Sequence, residues 1–234
     1  MSSATEQPSR QRLRVVFFDI GGVMYDDTVY ARALNAALRM LGASFTDDEF
    51  DDVYRAARAA QSGSFRSLLA RQFLGPDADL SALESEASKH WNYPPDALYP
   101  DVRPCLGALA GRYRLGIIAN QPSAVRDALH RDGLDRSFEV WGVSDDVGFA
   151  KPDPRLFAHA LDMARVEPAA SVMVGDRLDY DVRPARSCGM RTVWMLRGEA
   201  PDDPTPEQLA EADAAVHDLT ELPAALEALD ASGE

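Results

Sequence analysis

Cysteine is scarce in this chain, with only Cys105 and Cys188 among 234 residues. The two lie far apart and form no Cys-x-x-Cys pair, which is the spacing typical of zinc and redox sites. A chain of this length buries about 70% of the surface that it exposes when unfolded, so it needs no disulfide to fold. We therefore expect two buried free thiols.

Long hydrophobic runs are also missing, because no apolar stretch approaches the roughly 18 residues that cross a bilayer. The first residues, MSSATEQPSRQRLR, are polar and lack the apolar region of a signal peptide. From these two absences we expect no membrane partner and a cytoplasmic location.

Basic residues are few: the chain has 24 lysines and arginines against 38 aspartates and glutamates, which gives a net charge of −14. A field of this sign repels phosphate backbones, so we expect no nucleic-acid partner. It also repels small anionic substrates. A site for such a substrate must therefore supply local lysine, metal or helix N-termini.

The apolar pattern divides the chain into three parts. Residues 1–12 are polar and are predicted to form a flexible tail. Residues 27–95 carry apolar side chains at helical spacing and are predicted to form a cap domain of three or four helices. The remaining residues, 13–26 and 96–234, are predicted to form the core domain. Thr46-x-x-Glu is typical of a capping box that opens a helix of the cap.

Short β-branched and aromatic runs alternate with helical stretches along the core. The predicted strands are 13–18, 115–119, 138–143, 171–174, 191–196 and 215–217, and the predicted helices are 123–130, 154–164, 182–188 and 222–229. Such alternation predicts an α/β fold, a doubly wound parallel sheet of Rossmann type. Ligands in these folds bind beyond the carboxyl ends of the strands.

Two aspartates stand at predicted strand ends. Asp19 directly follows the first strand, and Asp176 follows the strand 171–174 with one glycine between them. Asp181 comes five residues later. Each acid alone is equally typical of a turn or a helix cap, but together they offer the oxygen ligands that Mg²⁺ prefers.

Lys151 lies between Ala150 and Pro152, in a loop that two closely spaced prolines constrain. It is either a solvated surface lysine or a fixed positive charge beside the carboxylates. In the second case, Lys151→Ala should slow catalysis with little loss of stability. Asn120 follows the strand 115–119, where it either forms a turn or binds a phosphate oxygen.

Four segments, taken in order, resemble the motifs of the haloacid dehalogenase superfamily of hydrolases. They are Phe17-Phe18-Asp19-Ile20-Gly21-Gly22-Val23, Ala119-Asn120, Lys151-Pro152-Asp153-Pro154 and Gly175-Asp176-Arg177-Leu178-Asp179-Tyr180-Asp181. Four matches in the right order are far more specific than any one of them. The resemblance covers nearly the whole chain, and the insert 27–95 resembles the α-helical cap of one subclass.

The resemblance implies a Mg²⁺-dependent phosphatase, monomeric or homodimeric, that acts on a small phosphorylated metabolite. It implies that Asp19 attacks phosphorus and forms an aspartyl-phosphate, while Lys151 stabilises Asp19 and the phosphoryl oxygens. The implied Mg²⁺ ligands are the side chains of Asp19 and Asp176 and the carbonyl of Gly21, with Asp181 binding either directly or through water. Asn120 and Gly22 are predicted to contact the substrate.

The chain departs from the family pattern at two positions. Phosphatases of this family carry a second aspartate two residues after the nucleophile, as general acid and base, but Gly21 stands there. Ala119 replaces the usual serine or threonine of the second motif. Loss of general acid–base help costs roughly 10²–10⁴ in rate. Tyr25, Asp26 and Asp27 are close enough in sequence to replace the missing acid.

Three functions therefore stay open. The retained lysine and three aspartates favour a phosphatase. A dehalogenase needs no proton for its leaving group, but that branch of the family usually carries tyrosine in place of Gly21 and works without metal. A non-catalytic or regulatory binding protein would explain the lost acid, although not the retention of Asp19, Lys151, Asp176 and Asp181 together.

Overall fold

A six-stranded parallel sheet forms the centre of the computed structural model, which describes residues 11–90 and 93–231. The predicted tail, 1–12, thus lies almost wholly outside the described residues. The strands run in the order β3-β2-β1-β4-β5-β6, and every pair is parallel. Their bounds are β1 Val15–Phe18, β2 Arg114–Ala119, β3 Val140–Val143, β4 Ser171–Gly175, β5 Arg191–Met195 and β6 Ala214–Val216.

Helices cover both faces of this sheet, which confirms the predicted doubly wound fold. The core helices are α5 Val102–Leu109, α6 Val125–Arg131, α7 Ser144–Val147, α8 Pro154–Ala164, α9 Arg183–Ser187, α10 Pro206–Leu209 and α11 Leu222–Ala231. Val16 and Phe18 of β1 face the side packed by α5 and α11, whereas Val15 and Phe17 face α8. Because β1 is buried on both faces, its sequence is continuously apolar rather than alternating.

The strand order reverses direction between β1 and β4, the usual ligand-binding position in this fold. Phe18 at the end of β1 lies beside Val174 near the end of β4. The backbone N–H of Asp19 donates to the carbonyl of Val174 at 2.9 Å. The residues that follow the two strands are thereby brought to one edge of the sheet.

Four helices fill residues 28–90, and no strand occurs in that described range. They are α1 Thr28–Met40, α2 Asp47–Ala60, α3 Phe65–Phe73 and α4 Leu80–His90. These helices enclose their own hydrophobic cluster, with Leu38, Leu69 and Leu83 fully buried. Thr46 and Glu49 form the predicted capping box of α2. No helix in the described residues is long and apolar enough to cross a membrane.

The structure differs from the sequence prediction in several core segments. Helix α5 was not predicted; it contains Pro104 in its first turn, where the missing N–H costs nothing. Helix α10 was not predicted either, and a π-helical turn, Leu178–Val182, comes before α9. Strand β3 begins two residues later than predicted. Both cysteines are free thiols, but only Cys105 is buried; the prediction of burial was wrong for Cys188, which is half-buried.

Candidate active site

Asp19 lies at the carboxyl end of β1 and is oriented through one carboxylate oxygen. Its Oδ1 accepts a hydrogen bond from the backbone N–H of Ile20 at 2.8 Å and lies 2.9 Å from the ammonium of Lys151. Within the part of the chain that the structure describes, no hydrogen bond reaches Oδ2 of Asp19. The carboxylate is thus fixed in position, with one oxygen left for chemistry.

Lys151 is buried, so its interpretation as a solvated surface lysine was wrong. Its side chain is only 2% exposed and also binds Asp181 Oδ1 at 2.6 Å. Burial acts against its charge, but the carboxylates of Asp181 and Asp19 prevail and raise the pKa of Lys151 above its usual value. The lysine therefore stays charged and joins two acids.

The amide of Asn120 holds the Lys151 loop in place. Its Nδ2 donates to the backbone carbonyl of Lys151 at 2.9 Å, and its Oδ1 accepts from the backbone N–H of the same residue at 2.6 Å. Asn120 therefore positions the lysine by linking the end of β2 to the loop before α8. Its predicted contact with a phosphate oxygen stays a prediction.

Asp176 and Asp181 lie beyond the end of β4 and are held by backbone groups. Asp176 Oδ2 accepts from the N–H of Glu199 at 2.7 Å, and the backbone carbonyl of Asp176 accepts from the indole N–H of Trp194 at 2.8 Å. Asp181 Oδ2 accepts from the N–H of Arg177 at 3.0 Å. Both acids are buried, and each has a carboxylate oxygen within 4.8 Å of one from Asp19.

The site holds more negative than positive charge. Burial raises the pKa of Asp19 to about 6, with Lys151 opposing this rise and Asp181 adding to it. Burial, followed by the charges of Asp27 and Asp181, raises the pKa of Asp176 well above its usual range. Clustered carboxylate oxygens with one lysine to balance them match the preference of Mg²⁺ for oxygen ligands. The donor set therefore fits a divalent cation.

Glycines allow the loops to meet at Asp176. Gly22 has φ +65°, and a Cβ there would lie less than 3 Å from the Asp176 carboxylate. A Cβ on Gly198, which has φ +64°, would lie equally close to both Gly22 and Asp176. The predicted role of Gly22 in substrate binding stays a prediction; its observed role is to let the carboxylate approach.

The three candidates for the missing acid lie in different surroundings. Tyr25 is buried in the core and donates to Asp132 Oδ2 at 2.7 Å, away from the cluster. Asp26 accepts from the N–H and hydroxyl of Thr28 at 3.0 and 2.7 Å, in an exposed turn. Asp27 lies against Gly21. Burial, then the charges of Glu199 and Asp19, raises the pKa of Asp27 well above its usual range.

The end of helix α2 is bonded to the core loops around the site. Gln61 Nε2 donates to the carbonyl of Glu199 at 2.7 Å, and Gln61 Oε1 accepts from the N–H of Leu178 at 2.8 Å. Arg58 Nε donates to the carbonyl of Ala200 at 2.9 Å. A narrow crevice between the two parts is lined by Tyr54, Ala57, Arg58, Phe65, Arg177 and Glu199.

Sequence reasoning missed the contribution of Gly198 and Glu199. They follow β5 closely, so the rule that ligands gather at the carboxyl ends of strands could have located them. Nothing in their residue types indicates the role, since Glu199 supports Asp176 through its backbone N–H rather than its side chain. The predicted set of Asp19, Lys151, Asp176 and Asp181 does meet at one place.

Comparison with known proteins agrees with this arrangement. The chain is 36% identical over 173 residues to a phosphoserine phosphatase of Thermus thermophilus, covering 71% of this chain and 67% of the relative. It is 31% identical over 231 residues to a glyceraldehyde 3-phosphate phosphatase of Pyrococcus furiosus, covering 94% of each. A solved phosphatase from Thermococcus onnurineus superposes with a TM-score of 0.60 at 28% identity, covering 92% of this chain and 98% of the other. Since residues 13–189 also match the family of haloacid dehalogenase-like hydrolases, the chain belongs to that family.

Proposed function

We propose that this hydrolase is a Mg²⁺-dependent phosphatase that acts on a small phosphorylated metabolite through an aspartyl-phosphate on Asp19. One observation carries the proposal: the buried Lys151 ammonium lies 2.9 Å from Asp19 and 2.6 Å from Asp181. A fixed cation beside a carboxylate both orients that carboxylate and attracts the oxygens of a phosphoryl group. Its positive charge also offsets, at the site, the repulsion that a net charge of −14 exerts on an anionic substrate.

The oxygens of Asp19, Asp176 and Asp181, together with the carbonyl of Gly21, would hold Mg²⁺. When bound, the cation supplies positive charge that neutralises the phosphoryl oxygens as the reaction proceeds. Two features support this fit. The three carboxylates lie within 4.8 Å of one another, and the single lysine between Asp19 and Asp181 balances only part of their negative charge.

The reaction proceeds in two displacements. A carboxylate oxygen of Asp19 attacks phosphorus, the bond to the leaving-group oxygen breaks, and that oxygen takes up a proton. Water then attacks the phosphorus of the aspartyl-phosphate, releases inorganic phosphate, and returns Asp19 as a carboxylate. Lys151 keeps its charge throughout and stabilises the negative charge on the phosphoryl oxygens.

We assign helices α1 to α4 to the cap domain predicted for residues 27–95 and place the leaving group beneath them. The crevice beside Tyr54 and Phe65 adjoins the acids, since Glu199 lines it and donates its backbone N–H to Asp176 Oδ2 at 2.7 Å. The names of the two relatives, phosphoserine and glyceraldehyde 3-phosphate phosphatase, support a small phosphate monoester.

The first experiment measures phosphate release by the purified chain from a panel of phosphorylated metabolites, with Mg²⁺ and with EDTA. We expect turnover of at least one small monoester with Mg²⁺ and none in Asp19→Asn. Rapid quenching with a ³²P-labelled substrate should trap a label that hydroxylamine removes. Release of halide from a 2-haloacid in EDTA would favour the dehalogenase instead, and Mg²⁺ binding without any turnover would favour a regulatory protein.

A further inference from the structure

The space beside Gly21 is filled by the carboxyl group of Asp27. A Cβ built on Gly21 would lie 2.9 Å from both Cγ and Oδ2 of Asp27, and closer still to Oδ1. Gly21 does not have a positive φ, so its backbone would accept another residue. The glycine is therefore required by the approach of Asp27, and the carboxyl group lies where a side chain of residue 21 would begin.

Local backbone bonds bring Asp27 back to this position. The N–H groups of Met24 and Tyr25 donate to the carbonyl of Ile20 at 2.8 and 3.0 Å, and that of Gly22 donates to the carbonyl of Tyr25 at 2.8 Å. These bonds close a compact loop directly after Asp19. Helix α1 begins at Thr28, three residues after Tyr25, so Asp27 directly precedes the helix and lies beside Gly21.

The side chain of Asp27 does not cap helix α1, although Asp27 occupies the N-cap position. Asp27 precedes the first residue of α1, and aspartate at that position usually accepts a bond from the N–H groups of the first turn. Here it makes no such capping bond. Tyr25 and Asp26 are bonded elsewhere, whereas the carboxyl group of Asp27 lies against Gly21, two residues after Asp19.

We infer that Asp27 is the proton donor and acceptor of this enzyme, in place of the acid that Gly21 lacks. This rests on the proposed phosphatase function. As the bond from phosphorus to the leaving-group oxygen breaks, the carboxyl group of Asp27 gives its proton to that oxygen. In the second displacement the resulting carboxylate takes a proton from the attacking water, so the residue returns to its starting form.

The test compares two leaving groups in the full-length chain with Mg²⁺: p-nitrophenyl phosphate, whose phenolate leaves without a proton, and ethyl phosphate, whose alkoxide does not. Asp27→Asn keeps the shape of the side chain but removes its acid. We expect kcat/KM for ethyl phosphate to fall by roughly 10²–10⁴-fold and that for p-nitrophenyl phosphate by less than about tenfold. Asp26→Asn, the matched control, should leave the ratio of the two substrates unchanged.

A rescue variant separates chemistry from structure. Gly21→Asp/Asp27→Gly moves the carboxyl group to the other residue without adding volume. It should restore most of the kcat/KM for ethyl phosphate, relative to p-nitrophenyl phosphate, that Asp27→Asn loses. Gly21→Asp alone should lower the melting temperature, because it collides with Asp27. The Mg²⁺-induced rise in melting temperature should persist in Asp27→Asn.

Two results would overturn the inference. An equal fall in kcat/KM for both substrates in Asp27→Asn would make Asp27 a structural residue. Loss of the Mg²⁺-induced rise in melting temperature would make it a metal ligand. Either result leaves the proposed function intact. A wild-type chain that hydrolyses neither substrate nor any other phosphate monoester would instead overturn the phosphatase proposal, and this inference with it.

Discussion

Replacing Lys151 with alanine should destabilise the folded protein as well as slow catalysis. The ammonium is 2% exposed and lies between Asp19 and Asp181, at 2.9 and 2.6 Å. Without it, two carboxylates at the edge of the sheet lose the cation that balances them. The expectation from sequence, slower catalysis with little loss of stability, is therefore revised.

The size of the effect follows from the burial of this charge cluster. Removing one partner of a buried ion pair costs about 3–5 kcal/mol, because the other partner keeps its desolvation penalty. For a chain of this size, 1 kcal/mol shifts the melting temperature by roughly 2–4 °C. The expected fall is therefore roughly 6–20 °C, together with a loss of activity of at least about tenfold.

Differential scanning calorimetry in EDTA and then in Mg²⁺ provides the measurement. The only other lysine, Lys89, is exposed and pairs with Glu86 on the surface, so Lys89→Ala is the matched control and should cost at most about 1 kcal/mol. Mg²⁺ should raise the melting temperature of Lys151→Ala more than that of the wild type, because a second cation reaches the same acids. A fall of less than about 2 °C in EDTA would refute the reasoning.

Three further predictions concern the metal, a glycine and pH. Mg²⁺ at a hundred times its dissociation constant should stabilise the wild type by about 2.7 kcal/mol, a gain that calorimetry should find lost in Asp176→Asn. Gly198→Ala should lower both the melting temperature and kcat, because φ is +64° and the added Cβ meets backbone within 3 Å; an unchanged melting curve would contradict this. Burial acts to raise the pKa of Asp132, but hydrogen bonds from Arg131 and Tyr25 lower it overall. Its stabilising contribution is thus present above the pKa of an unfolded aspartate and is lost as pH falls through the lower folded value. Urea titrations should therefore show Asp132→Asn less stable than wild type at pH 7, with the difference shrinking as the pH is lowered below the pKa of an unfolded aspartate.

The sheet edge that carries the site could be predicted because its signals are local. Apolar runs ending at Asp19 and at Gly175-Asp176 mark two strand ends, and parallel strands bring such ends together. The capping box at Thr46 and the proline that opens helix α8 are likewise local and were confirmed. Helix α5, which has Pro104 in its first turn, was not predicted from local patterns of this kind.

The rest of the site depends on contacts between distant residues. Nothing in the sequence says that Lys151 is buried, because its burial comes from Asp181 and from a loop that Asn120 holds. Tyr25, Asp26 and Asp27 could not be ranked by sequence either. Their separation from Asp19 is similar, and only the closed loop after β1 decides which of them returns to Gly21.

The bonds between the end of helix α2 and the loop after β5 link the position of the helices to the metal site. Gln61 and Arg58 hold the carbonyls of Glu199 and Ala200, and the N–H of Glu199 holds Asp176. Whatever separates the helices from the core therefore also loosens the support of a predicted cation ligand. Such coupling is reciprocal: the factor by which closure tightens cation binding equals the factor by which the cation favours closure. Substrate entry and metal affinity then form one thermodynamic cycle rather than two independent events.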